Sequence, residues 1–286
     1  MQSKKLWFTE YDCLNDDTEG NLVYQAIDYV IQNEFYDSFG KAVSKWILLK
    51  DISGDISSVE ELKLLDEMNP FIDRLNDKYF ICCFSEDSDN LSLWNYYTKT
   101  PNSVGYNISF DADKILSSFK ENNQTGKINI IMHKVIYDFG EQFDIVYKIL
   151  NKGHELWKEY TEVKEREYII MAMSAFFDFF RFVFKHPAFS FEKEVRMVVR
   201  MTQHEFDENI LFDSNNNSDG FIKLRTINSV FSPYIALSYN DNNLIEKISI
   251  SPTLKNEQAK LSTFLLLQKY NLKNCGVYLS SIPLKY

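Results

Sequence analysis

Between Tyr168 and Val199 the chain passes from its most apolar segment, "YIIMAMSAFFDFFRFVF", into "KHPAFSFEKEVRMVV". A strand turns alternate residues to opposite faces. Read as a strand, the second stretch puts Glu192, Glu194 and Arg196 on one face and Phe191, Val195 and Met197 on the other. The first segment is short for a membrane span and is interrupted by Asp178 and Arg181, so it reads as a central buried helix. A strand that follows such a helix sits centrally, and a central strand keeps two carboxylates on one face where that face lines a cleft. Crowded carboxylates also shift upward in pKa, which suits acid–base work.

Hydrophobic periodicity places other elements around this pair. Leu22 to Phe39 reads as a helix that ends near Gly40, and Ser57 to Met68 as another, with Ser58 as its cap. "YFICCF" at 79–84 reads as a buried strand, Asp89 to Tyr97 as a short helix, and "GYNISF" and "INIIMHKVIY" as strands. Phe139 to Lys185 reads as two helices broken near Gly153. A strand near Phe221, the strand "LIEKISIS", a helix over 255–270 and the strand "CGVYLSSI" complete the chain. Without regular βαβ alternation the expectation is α+β, a mixed or mainly antiparallel sheet with a long helical insert at about 140–185. No repeat or linker is evident, so 1–286 reads as a single domain.

Composition narrows the function classes. Among 286 residues, 23 Phe and 17 Tyr imply an aromatic core. A net charge of −10 disfavours broad nucleic-acid binding, though a local basic cleft remains compatible with a nucleic-acid acceptor. Cys13, Cys82, Cys83 and Cys275 lack zinc spacing and read as buried free thiols of a cytoplasmic protein. His133, His154, His186 and His204 also lack metal-ligand spacing, and no phosphate-binding, dinucleotide-binding or nucleophile-elbow signature occurs. The chain shows no leader peptide and no membrane span, so no membrane partner is expected.

Three clusters carry the candidate chemistry. Asn15, Asp16, Asp17 and Glu19 form an acidic loop that would serve equally as a turn and helix cap. Ser85 and Glu86 end a buried strand, and Trp94 and Tyr97 share a helical face, as binding groups or as packing. The third is Glu192, Glu194 and Arg196, whose plainer reading is a solvated sheet face with weak ion pairs.

In order, Leu6-Trp7-Phe8-Thr9 with Leu14 to Glu19, Cys83-Phe84-Ser85-Glu86, then Leu93-Trp94 with Tyr97, Gly105, Phe110 and Asp111, and Lys185, Phe189 and Phe191 to Arg196, closed by "SSIP", resemble a bacterial family known only as a domain of unknown function, number 2971. The loop lacks the family's Pro-Phe pair, Phe189 stands for a tryptophan, and an earlier strand is missing. The order of parts is also similar to ADP-ribosyltransferases, whose late strand carries a catalytic glutamate, sometimes as Glu-x-Glu. That similarity implies NAD as co-substrate and a nucleic-acid or protein acceptor; separately, the small, standalone character of such family members suggests a role in stress or phage defence. The similarity assigns Glu192, Glu194 and Arg196 to catalysis. Asn15, Asp16, Glu19, Ser85, Glu86, Trp94 and Tyr97 would hold the nucleotide, and no resident metal is implied. Two other readings stay open. Asp16, Glu19, Glu192 and Glu194 would bind Mg²⁺ in a nuclease or phosphodiesterase. Alternatively Arg196, Trp94 and Tyr97 would line the pocket of a non-catalytic ligand-binding module.

Overall fold

The computed structural model describes residues 4–14, 20–35, 37–51, 77–98, 105–122, 129–211, 222–227, 229–239, 242–254, 256–272 and 274–283. The fold is α+β, with two sheets and a helical cluster. The larger sheet is antiparallel throughout and has the order β4-β5-β2-β1-β7-β6. Its strands are β1 (Lys5–Glu10), β2 (Lys78–Ser85), β4 (Asn129–Lys134), β5 (Glu194–Met201), β6 (Ile222–Ile227) and β7 (Val230–Ser238). The smaller sheet joins β3 (Tyr106–Phe110), β8 (Ile245–Ile250) and β9 (Gly276–Leu279), with β8 and β9 parallel.

Alternation along β5 decides what covers each side of the larger sheet. Met197 and Val199 point to one face, where Phe8, Phe80, Ile130 and Ile235 join them. Ile115 and Phe119 of helix α4 (Ala112–Asn122) seal that core, with Phe8 and Phe119 edge to face at 5.8 Å. Burying each such ring contributes about 1.5–3 kcal/mol. The opposite face carries Glu194, Arg196 and Val198 on β5, and Ile81, Cys83 and Ser85 on β2. Only part of it is covered, by Phe182, whose ring meets Tyr79 at 4.4 Å and Tyr11 at 4.7 Å.

The helical insert is α5 (Phe139–Glu159) and α6 (Val163–Phe180), which pack with α1 (Leu22–Glu34) and α2 (Ser38–Asp51). Val23, Ile27, Phe39, Val146, Leu150 and Phe177 form the centre of this cluster. The break in the insert lies at 160–162, not near Gly153. Gly153 is inside α5, where an added Cβ would lie 2.1 Å from Met173 Sδ, so it serves the close approach of α5 and α6 rather than a turn. Nor is α6 buried all round: Ile169, Ile170, Met173 and Phe177 face the cluster, whereas Tyr168 and Phe176 are exposed. Among the described residues no helix is long and apolar enough to cross a membrane. The helix expected over Ser57 to Met68 lies outside the described residues. The helix expected from Leu22 to Phe39 is two, parted at Phe35 and restarted where the Asp37 carboxylate accepts from the Phe39 and Gly40 amides.

Candidate functional site

After α6 the chain crosses the partly covered sheet face. The Ile136 amide donates to Val183 O at 2.8 Å, and the Lys185 amide donates to Ile136 O at 3.1 Å. The side chain of Gln142, only 2% exposed, donates to Ile136 O at 2.7 Å and Lys185 O at 3.0 Å. These bonds pin Lys185 above the sheet. Phe182 turns to the sheet and Phe184 into the helical cluster, so the crossing is fixed from both sides.

The chain then forms a short 3-10 helix, Pro187–Glu192, and a left-handed residue, Lys193 (φ 44, ψ 51). The strand therefore begins at Glu194, and Glu192 is not part of it, contrary to the alternating pattern of the sequence. A left-handed non-glycine residue costs about 1–2 kcal/mol, and here it separates two glutamates that nevertheless converge. Lys185 Nζ donates to Glu192 Oε2 at 2.7 Å and to Glu194 Oε2 at 3.0 Å, above the Phe189 ring at 4.9 Å.

Behind them, Arg196 clamps Glu194 with two bonds, Nε to Oε1 at 2.9 Å and Nη2 to Oε2 at 3.0 Å. Its Nη1 donates to Phe182 O at 3.1 Å. Glu194 and Arg196 are 6% and 1% exposed. Burial alone would raise the Glu194 pKa, but the Arg196 charge, the Arg196 hydrogen bonds and Lys185 outweigh it and hold it at about 2. At Glu194 the expected upward shift is thus reversed, because that carboxylate is held between Arg196 and Lys185. Arg196 thus bonds Glu194 and the Phe182 carbonyl and holds the Glu194 carboxylate in place.

Glu192 is the carboxylate that faces outward, with its side chain 20% exposed. Its backbone is anchored: Ser85 Oγ donates to Glu192 O at 2.6 Å, and the Asn90 side-chain amide donates to Phe191 O at 2.8 Å. Asn90 also caps α3 (Leu91–Tyr97) through its carbonyl oxygen. Desolvation, then Cys83, Glu192 and Glu194, raise the Tyr97 phenol above the usual range. With the whole side chain 79% exposed, its significance is that the phenol lies within electrostatic reach of both glutamates. Tyr137, whose hydroxyl accepts from the Glu194 amide at 2.9 Å, is pushed to about 12, chiefly by burial.

Cys83 pairs across the ladder with Arg196 and forms the floor between these groups. It is solvent-accessible, which corrects the expectation of a buried thiol, yet desolvation and the Glu194 charge push its pKa well above the ordinary range. An accessible Cys83 on the sheet, with Lys185, Glu192 and Glu194 grouped beside it, outlines a recess. Toward its start β1 turns away from this floor. It pairs with β2 at Thr9↔Ile81 and Glu10↔Phe80, but with β7 along its length from Lys5↔Ser238 to Thr9↔Tyr234. The ladder between β1 and β2 is thus open at the end that carries Cys83 and Ser85.

The structure brings Glu192, Glu194, Arg196, Ser85 and Tyr97 together. It takes Trp94 away: the indole is 7% exposed, donates to Asp89 Oδ1 at 2.9 Å and packs at the position of Gly105. Glu86 pairs instead with Lys134 at 2.5 Å on the surface. Asn15, Asp16 and Glu19 lie outside the described residues. Lys185, Gln142, Tyr137 and Cys83 join the site without having been singled out for it. Lys185 and Cys83 stood in the quoted motifs, whereas nothing local marks Gln142 or Tyr137. Among the described residues no group of three or more His, Cys, Asp and Glu is placed to hold a metal ion.

By fold and site this is an α+β protein with a recessed, ion-paired carboxylate pair at the mouth of an antiparallel sheet. Residues 93–197 match the model of the family described as Protein of unknown function (DUF2971), which supports the resemblance read from the motifs. That segment contains Tyr97, Lys185, Glu192, Glu194 and Arg196. No curated protein and no solved structure matches the chain.

Proposed function

We propose that the protein cleaves the nicotinamide–ribose bond of NAD and transfers the ADP-ribosyl group to a nucleic-acid or protein acceptor, with Glu192 as the catalytic carboxylate. The observation that carries this reading is the division of labour between two glutamates on one ammonium: Glu194 is buried and doubly clamped, Glu192 reaches the recess. Cleavage sends the bonding electron pair to the nicotinamide nitrogen and leaves an oxocarbenium-like ribose. A carboxylate at the recess stabilises that charge. The acceptor then attacks the same carbon, and its proton passes to Glu192. Lys185, held by Glu194 and Gln142, fixes the Glu192 carboxylate in place. Tyr97, exposed and within electrostatic reach of both glutamates, offers a planar ring for stacking.

The Mg²⁺ reading is less well supported, since both Glu194 oxygens already accept from Arg196 and Lys185. The non-catalytic reading is less well supported, because two of its three recognition groups, Arg196 and Trp94, are buried and bonded within the protein. Purified protein incubated with NAD, alone and with nucleic acid or cell protein as acceptor, should release nicotinamide. No release under any of these conditions overturns the proposal. A role in stress or phage defence goes with the proposal and is tested by phage plating on cells with and without the gene.

A further inference from the structure

On the same sheet face, across the open end of the β1–β2 ladder from Cys83, stands a second cluster. Trp7 is 51% exposed, and its ring lies 5.0 Å from Tyr234. Arg225 sits 5.4 Å from the Trp7 ring and 5.5 Å from the Tyr234 ring, and its Nη2 donates to Thr9 Oγ1 at 2.5 Å. The register puts all four on one face: Thr9 opposes Tyr234, and Arg225 opposes the adjoining Ser232. Thr9 also opposes Ile81, on the face of Cys83 and Arg196.

Packing alone leaves two features unexplained. The Arg225 Nε is buried and has no hydrogen-bond partner, and no carboxylate of the described residues pairs with this guanidinium, in a chain of net charge −10. Beside it, a tryptophan presents half its surface to water. A cation without a counter-ion next to an open aromatic ring suits a ligand that is both planar and anionic.

We infer that Trp7, Tyr234 and Arg225 form a nucleotide subsite, in which a purine base stacks on Trp7 and a phosphate pairs with Arg225. β1 lies two strands from β5, roughly 10 Å at the usual strand spacing, a separation of the order that a dinucleotide covers. The inference rests on the NAD reading only for that span. The subsite itself is a claim about binding.

AMP is the probe, with adenosine, ribose 5-phosphate and inorganic phosphate beside it, measured by titration calorimetry on the full chain. AMP should bind, and Trp7→Leu should weaken it about 10-fold or more, the order of a lost base–aromatic stack. Trp7→Phe should retain most of the affinity. Arg225→Gln should weaken AMP but leave adenosine unchanged. Each variant is compared at an unaltered unfolding midpoint. Absence of AMP binding, or AMP binding indifferent to Trp7→Leu, overturns the inference. The failure modes separate. AMP binding that depends on Trp7 in a protein that does not cleave NAD sustains the subsite and sinks the glycosyl-transfer reading. NAD cleavage with an unchanged KM in Trp7→Leu does the reverse.

Discussion

Glu194→Gln should destabilise the protein by about 3 kcal/mol at pH 7, and the loss should fade in acid. The Glu194 pKa falls from an ordinary 4.5 to about 2 in the fold. At 1.36 kcal/mol for each pKa unit this is worth about 3 kcal/mol. The side chain is 6% exposed, so screening by water takes little of it away. A second estimate agrees: removing one partner of a buried ion pair costs about 3–5 kcal/mol, because Arg196 keeps its charge and loses its counter-ion and one of its two acceptor oxygens. The sign follows from the lowered pKa. The stabilisation is complete above the unfolded value of 4.5 and is lost as pH falls through the folded value of about 2. By pH 3 about 1.4 kcal/mol should remain. Urea unfolding of the wild type and Glu194→Gln at pH 7, 5, 4 and 3 measures the difference directly. A difference below about 1 kcal/mol at pH 7, or one that does not shrink with acid, would refute the argument that Arg196 and Lys185 hold this carboxylate ionised.

Two further substitutions probe how the site is framed. Asp89→Ala should cost about 2–4 kcal/mol in urea unfolding, since that carboxylate accepts from the Trp94 indole, the Ser280 and Ser281 hydroxyls and the Ser281 amide, tying α3 to the segment after β9. Gly40→Ala should lower the unfolding midpoint by an amount equivalent to at least about 1–3 kcal/mol, because its Cβ would fall 2.0 Å from the rigid Phe35 carbonyl oxygen. Retention of wild-type stability in either protein would contradict the geometry at that joint.

The sequence disclosed the sheet strands that have strong local patterns. β2 in "YFICCF" and β3 in "GYNISF" are apolar runs of strand length, and the structure places them within a residue or two of the expected ends. β7 was not legible, since Pro233 in its middle removes a ladder donor; it falls just past the end of the pairing with β1, opposite Leu224 of β6. Glu192 does lie beside Glu194, though not through strand alternation. The period-two pattern predicts a continuous strand, but Lys193 takes a left-handed conformation that no composition rule marks, and convergence comes from Lys185, nine residues before the start of β5. Trp94 shows the opposite failure: an aromatic on a helix face reads equally as platform or packing, and only the Asp89 bond and the proximity of Gly105 decide for packing. Gln142 and Tyr137 were invisible because their partners are backbone groups distant in sequence.

The central claim is that the two glutamates divide positioning from catalysis. Nicotinamide release from NAD by the wild type, Glu192→Gln and Glu194→Gln, with unfolding recorded on the same samples, tests it most directly. Release is expected from the wild type and none from Glu192→Gln at near-native stability, while Glu194→Gln loses stability and activity together. Undiminished release from Glu192→Gln would contradict it.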